Sequence, residues 1–304
     1  MALEQPGPWG HDAFAASHLD PELGQALAAR VASAGGRALL IRQPGRAGDA
    51  RVRRPRQVFL AAGVEHERPT LLSGRVEDPA SLLDLPWDVL RTGAVPPAAA
   101  LPGLREDPTS VALICTNAKR DACCALRGLP LAAALARSHP GRVWECSHTG
   151  GHRFAPTGVI LPSGATLGRL DVPLGEAALT APAHELADAV LDPAVLRGLA
   201  HLAPRDQAVD AFARIRWGLR DVRQPVRIDW EGHGAGPDAG VAAVEGTDSA
   251  LVPQIATVTA TAPVGTLEQV LRVAVTEQTD PTARSVSCGR DPGPSTYVEI
   301  TELA

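Results

Sequence analysis

Cysteine and histidine crowd into one stretch of this 304-residue chain. Cys115, Cys123, Cys124 and Cys146 fall within 32 residues, and His148 and His152 follow directly. Eight residues separate Cys115 from Cys124, and Thr149-Gly150-Gly151 separates the two histidines. Thiolates and neutral imidazoles are soft to borderline ligands, and two of each make a four-ligand set suited to an iron–sulfur centre or to zinc. Gly150 and Gly151 let the backbone bend sharply around a bulky centre, because they carry no Cβ. A cysteine at a helix N-terminus has its thiolate favoured by the helix dipole, and Lys119, Arg120 and Arg153 add positive charge nearby in sequence.

These residues must be positioned by the elements around them. Val111–Cys115 reads as a buried strand, residues from about Cys124 to Arg137 as a helix, Arg142–Ser147 as a strand after the Pro140-Gly141 turn, and Gly158–Leu161 as another apolar strand. In such a β-α-β unit the loops after Cys115 and after Ser147 leave the sheet at the same edge, so Cys115, Cys124, His148 and His152 can converge. Upstream, Asp20 and Pro21 begin a helix whose Leu23, Leu27 and Val31 are periodic and whose stop is Gly35-Gly36. Strands are expected at Arg37–Arg42, Gln57–Ala61 and Thr70–Leu72, with a short helix near Ala80–Leu85. Both 1–62 and 110–162 therefore read as loop, helix, strand, strand, a weak internal echo. Residues 182–222 read as two or three helices, one starting at Asp192-Pro193, and the texture after Pro225 is alternating and β-branched.

Composition narrows the function classes. A net charge of −5, from 29 basic and 34 acidic residues, lacks the footprint of a nucleic-acid or anionic-membrane binder. No apolar run approaches the roughly 18 residues of a membrane span, and Met1-Ala-Leu-Glu-Gln-Pro does not resemble a secretory leader. Five cysteines, four clustered and Cys288 alone, do not make a secreted disulfide scaffold, so a cytoplasmic setting with metal or redox chemistry is expected.

The run CTNAKRDACCALRGLPLAAAL, then WECSHTGGHRFAPT and, after a short gap, GRLD, resembles the signature of the sucrase/ferredoxin-like family. Glu4-Gln-Pro-Gly-Pro-Trp-Gly and Ser287-Cys-Gly add weaker likeness near the two ends. The resemblance implies a thioredoxin-like ferredoxin core within an α/β fold, a [2Fe-2S] cluster held by Cys115, Cys124, His148 and His152, and one-electron exchange with donor and acceptor proteins. Imidazole in place of thiolate removes negative charge, which in Rieske-type centres raises the potential. Two departures stand out: members usually carry a cysteine-containing segment before Glu4-Gln-Pro-Gly, and Asn117-Ala118 replaces their His-Gly. The expected organisation is an N-terminal α/β part over 1–105, the cluster-binding core over 106–180, a helical connector over 181–223 and a mainly β unit over 224–304.

Competing readings exist at each position. Cys₂His₂ also suits structural zinc in a non-catalytic binding module, although zinc cysteines are usually two to four residues apart. A thiol enzyme using Cys123, Cys124 or Cys146 lacks a Cys-x-x-Cys. Cys123 and Cys146 read as packed thiols, and Cys288 as structural. Arg46, Arg51, Arg53, Arg54 and Arg56 could dock an acidic partner but better suit a solvated edge strand. Gly232, Gly234 and Gly236 read as a turn. Hydrolysis of sugars finds no support, since neither Asp171 nor Glu176 is marked as half of an acid–base pair and aromatic residues are only 3%.

Overall fold

The computed structural model describes residues 1–45, 55–231, 253–261, 268–284 and 293–303, and every structural statement below concerns these. The N-terminal half runs β1 (Ala2–Glu4), α1 (Ala13–Ala16), α2 (Pro21–Ser33), β2 (Leu39–Arg42), β3 (Arg56–Ala62), β4 (Thr70–Val76), α3 (Trp87–Leu90) and β5 (Leu104–Glu106). Asp20 caps α2 by accepting from the Leu23 amide at 2.9 Å, and Leu27 and Val31 are buried as their spacing requires. The segment expected as a short helix near Ala80 is a 3-10 turn, Pro79–Asp84.

The second half repeats the plan: β6 (Val111–Cys115), α4 (Ala122–Ser138), β7 (Val143–Cys146), β8 (Gly158–Leu161), β9 (Ala165–Leu167), α5 (Val172–Thr180) and β10 (Leu196–Leu199). All these strands form one sheet in the order β10-β9-β8-β6-β7-β2-β1-β3-β4-β5. Read from either end, the order is an edge strand, two antiparallel strands, then a parallel pair. β1 and β2 are parallel, as are β6 and β7, and the two halves meet where β2 pairs antiparallel with β7 through Ile41↔Cys146 and Arg42↔Glu145. The echo between 1–62 and 110–162 is thus a repeated topology.

Period-two alternation sorts the sheet's side chains onto two faces. Leu3, Leu40, Val58 and Leu60 pack with α2, while Ala112, Ile114, Val143 and Ile160 pack with α4 and α5. Leu39, Ile41, Leu113, Cys115, Trp144 and Cys146 lie together on the other face. At the seam Arg42 pairs with Glu145 at 2.8 Å and lies over the Trp9 ring.

The region 181–223 departs from the helical connector expected of it. Residues 192–195 turn rather than start a helix, with the Leu196 amide donating to the Asp192 carbonyl at 2.8 Å, and β10 follows as the sheet's edge. One long helix remains, α6 (Pro204–Trp217). A separate antiparallel sheet of β11 (Val226–Trp230), β12 (Gln254–Thr261), β13 (Glu268–Arg284) and β14 (Gly293–Leu303) forms the mainly β tail. Val209 and Ala213 of α6 pack against it, whereas Ala211 packs into the core of the large sheet, so α6 is shared by both cores. Within α6, Asp210 and Arg214 are buried and joined at 3.0 Å, and Arg214 also donates to the carbonyls of Asp221 and Gln224. Burial pushes the Asp210 carboxyl up, and Arg214 pulls it the other way.

α4 and α5 are joined at Glu176, which accepts from Ser138 and meets His139 Nε2 at 2.8 Å. The Ser138 hydrogen bond, then that of His139, holds the exposed Glu176 carboxyl below the usual range. A depressed carboxyl contributes stability that is complete above its ordinary pKa and lost as pH falls through its own lower value. In urea unfolding, the gap between wild type and Glu176→Gln is therefore expected to close on acidification. A gap that stays constant from neutral pH down through the carboxylate range would refute this.

Candidate metal centre

Cys115 ends β6, whose five residues are all buried. β6 lies parallel to β7 in the register Cys115↔Cys146, so the segments that follow the two strands emerge side by side. After Cys115 the chain is turned by Asn117: its carbonyl accepts from the Arg120 and Asp121 amides, its Oδ1 from Lys119, and its Nδ2 donates to Gly10 at 3.2 Å. Gly10 closes the Glu4–Gly10 stretch quoted above, so that N-terminal segment reaches the site. Asp121 then caps α4, accepting from the Cys123 amide at 2.8 Å, and Cys124 falls in the first helical turn.

One further residue is essential to this approach. A Cβ on Gly128 would lie 2.2 Å from the Cys115 carbonyl oxygen. Only glycine lets α4 come so close to β6, which brings Cys124 beside Cys115. Sequence reading passed over Gly128; its signal was a glycine four residues after Cys124, on the same helix face.

On the other strand, Ser147 locks the seam, its amide donating to Leu40 O and its Oγ accepting from the Leu40 amide. His148 follows, half-buried, with its carbonyl accepting from Arg37 at 3.2 Å. Gly150 and Gly151 have φ of 91° and 63°, a left-handed turn that favours glycine. Thr149 and Thr157 then tie the loop across its base through their hydroxyls at 3.1 Å.

These elements bring His148 Nδ1 to 3.8 Å from Cys115 Sγ and 3.9 Å from Cys124 Sγ, with all three ligand atoms within 4.8 Å of one another. Among the described residues this is the group of three metal-ligating side chains that converges. His152 begins a 3-10 turn through Phe154; its backbone follows the glycine pair, and its side chain is outside the described atoms. Cys123, expected as a packed thiol, is instead disulfide-bonded and so is no ligand. Cys146 is a fully buried free thiol whose pKa burial pushes well up, which fits a neutral core residue.

The two converging thiols act as a pair. The hydrogen bond from Cys124 is the largest influence on Cys115 and, against its burial, brings it down to about 4; the same bond pushes Cys124 up. One thiolate stabilised by a neighbouring S–H is a donor prepared for a cation. The donor chemistry, two sulfurs and an imidazole, fits a soft or borderline metal.

Comparison with known proteins agrees with this geometry. The sucrase/ferredoxin-like family profile matches residues 12–187, more than half of the chain, and spans the whole Cys–His group. The chain belongs to the sucrase/ferredoxin-like family. No curated protein and no solved structure matches it. The sugar-hydrolysing sense of the family's name finds no pair of acids here: Asp171 caps α5, accepting from Leu174, and Glu176 is engaged with Ser138 and His139. None of the described helices is long and apolar enough to cross a membrane. Of the basic run considered for docking, Arg46, Arg51, Arg53 and Arg54 lie outside the described residues, as do Gly232, Gly234, Gly236 and Cys288, whereas Arg56 donates to Glu4 O and Gln5 Oε1.

Proposed function

We propose that this sucrase/ferredoxin-like protein is a one-electron carrier holding a [2Fe-2S] cluster, with Cys115 and Cys124 on one iron and His148 and His152 on the other. The observation that carries the reading is the convergence of Cys115, Cys124 and His148 at the ends of two parallel strands. Each half of the sheet has a parallel pair with a helix between them and two antiparallel strands beside it, which supports a thioredoxin-like plan. A bound cluster would supply reversible one-electron chemistry, which no side chain in the group provides by itself.

The chain's own residues would set the conditions. Cys115 and Cys124 are fully buried, so water is excluded from the thiol side. His148 is half-buried, so the imidazole side is the more accessible to electrons. Arg37 would orient His148 through its carbonyl and place a positive charge near the ligands.

A single tetrahedral ion is the second reading, and the compactness of the triad favours it. Zinc–sulfur and zinc–nitrogen bonds of about 2.3 and 2.0–2.1 Å place a sulfur and a nitrogen ligand about 3.5–3.6 Å apart in a tetrahedron, a few tenths of an ångström inside the 3.8 and 3.9 Å found here. A two-iron centre spreads its thiol and imidazole pairs over two metal ions. Anaerobic purification, a visible spectrum and assays for iron and acid-labile sulfide separate the readings. Two irons and two sulfides per chain, lost together in Cys115→Ser, are the expected result. One zinc in a colourless protein that stays colourless after reconstitution would overturn the cluster reading.

A further inference from the structure

Beside the metal loop, three arginines gather on one aromatic ring. The guanidinium carbons of Arg153, Arg169 and Arg197 lie 4.9, 5.5 and 4.5 Å from the centroid of Phe154. All are within cation–π range, and a ring has two faces, so at least two of the three cations share one. They come from separate parts of the chain: the turn that begins at His152, the segment after β9, and the edge strand β10.

The backbone is shaped to bring them together. The Arg169 amide donates to the Phe154 carbonyl at 2.6 Å, and the Leu170 amide to the Pro156 carbonyl at 3.1 Å. Gly168 admits the ring, since a Cβ there would stand 2.8 Å from Phe154 Cβ. Arg169 itself has φ of 51°, a left-handed conformation that a non-glycine residue holds at some cost and that points to a functional constraint.

Two of these guanidiniums, Arg169 and Arg197, form no ion pair among the described residues. The Nε of Arg197 is buried with no acceptor. Burial lowers the Arg197 guanidinium's hold on its proton, and the charges of Arg169 and Arg153 lower it further, with Asp192 opposing. Like charges held together in this way cost stability unless an anion completes them.

We propose that Arg153, Arg169 and Arg197 on Phe154 form the docking surface for an acidic one-electron carrier protein, placed directly beside the candidate ligand His152. The identity of the partner as a redox protein rests on the electron-transfer reading of the centre. One electron would pass between partner and centre, one being oxidised as the other is reduced, with no bond made or broken. Two observations favour a protein over a small anion. Arg153 and Arg169 are exposed, and two cavities, of about 310 and about 430 Å³, are lined by other residues. The chain also has a net charge of −5, so its overall field repels an acidic partner while this patch attracts one, which would select a single orientation of approach.

The test uses the full chain as purified and a fluorescein-labelled decaglutamate peptide, read by anisotropy at low and at physiological salt. Binding that weakens with salt is expected, with a loss on the order of tenfold in Arg169→Gln/Arg197→Gln. Arg169→Lys should restore most of it, and Arg30→Gln, in the last turn of α2, should change nothing. Equal binding by wild type and the double variant overturns the proposal, and so does displacement of the peptide by micromolar inorganic phosphate, which would make a small anion the occupant. Metal and sulfide content are measured on the same samples. Arginine-dependent binding by a protein that takes up no iron would leave an acid-binding surface and reject the electron carrier. Peptide binding lost in a protein with intact iron content would instead locate the fault in the patch.

Discussion

Gly128→Ala is expected to weaken metal uptake at the candidate centre and to cost about 1–3 kcal/mol of stability. The added methyl would stand 2.2 Å from the Cys115 carbonyl oxygen, and that oxygen belongs to the backbone of a central strand. β6 is hydrogen-bonded on both sides, to β7 and to β8, so it cannot withdraw. Relief must come from α4 moving outward. Alanine's advantage over glycine in a helix, about 1 kcal/mol, works in the opposite direction and sets the lower end of the expected loss. Cys124 lies one turn earlier on the same face, so it moves with the helix and parts from Cys115. Thermal unfolding and metal retained through dialysis are the measurements. Leu126→Ala, at a position 73% exposed on the same helix, is the control and should retain both properties. If Gly128→Ala were as stable and as metal-replete as wild type, the close approach would have no role in assembling the centre.

The second large effect is expected far from the candidate centre. Asp210 and Arg214 have side chains only 3% and 2% exposed. Asp210→Ala leaves Arg214 buried without its counter-ion, which in such pairs costs about 3–5 kcal/mol. Arg214 also donates to the carbonyls of Asp221 and Gln224, so its displacement would release the turn leading into β11. Changing both residues to apolar ones, Asp210→Leu with Arg214→Met, should recover much of the loss, because two desolvated charges are removed together. Denaturant unfolding of both variants tests this. A loss under 1 kcal/mol for Asp210→Ala, or a double variant worse than the single, would contradict it. Since α6 packs into both cores, the transition of Asp210→Ala is also expected to broaden or split between the two sheets.

What could be read from the chain divides along physical lines. Local signals held: the Asp20-Pro21 start of α2, the buried Val111–Cys115 strand and the Gly150-Gly151 turn each arise from neighbouring residues. The convergence of Cys115, Cys124 and His148 followed from the rule that parallel strands end at one edge. Long-range pairings were not legible. The seam Ile41↔Cys146 joins residues with no shared pattern, and β10 carries Arg197 and Gly198 in a four-residue stretch that is a strand because β9 offers it partners. Its neighbourhood therefore read as helix. Gly128 escaped notice because a lone glycine in a helix shows its purpose only against the strand it touches. The arginine cluster was hidden for a similar reason: Arg153 and Arg169 lie in quoted motifs, but Arg197 joins them only through the sheet edge.

The strand order that is the same from either end also bears on ancestry. Two copies of one β-α-β-β-β-α-β chain, meeting antiparallel at their outer parallel strands, would form a twofold dimer, and joining their genes would leave the ten-stranded sheet found here. In such a dimer each copy would carry its own metal site, one on either side of the shared edge. The present chain has no cysteine before Cys115. The half without such a group serves as the support from which Arg37 and Gly10 reach across to steady the half that carries Cys115, Cys124 and His148.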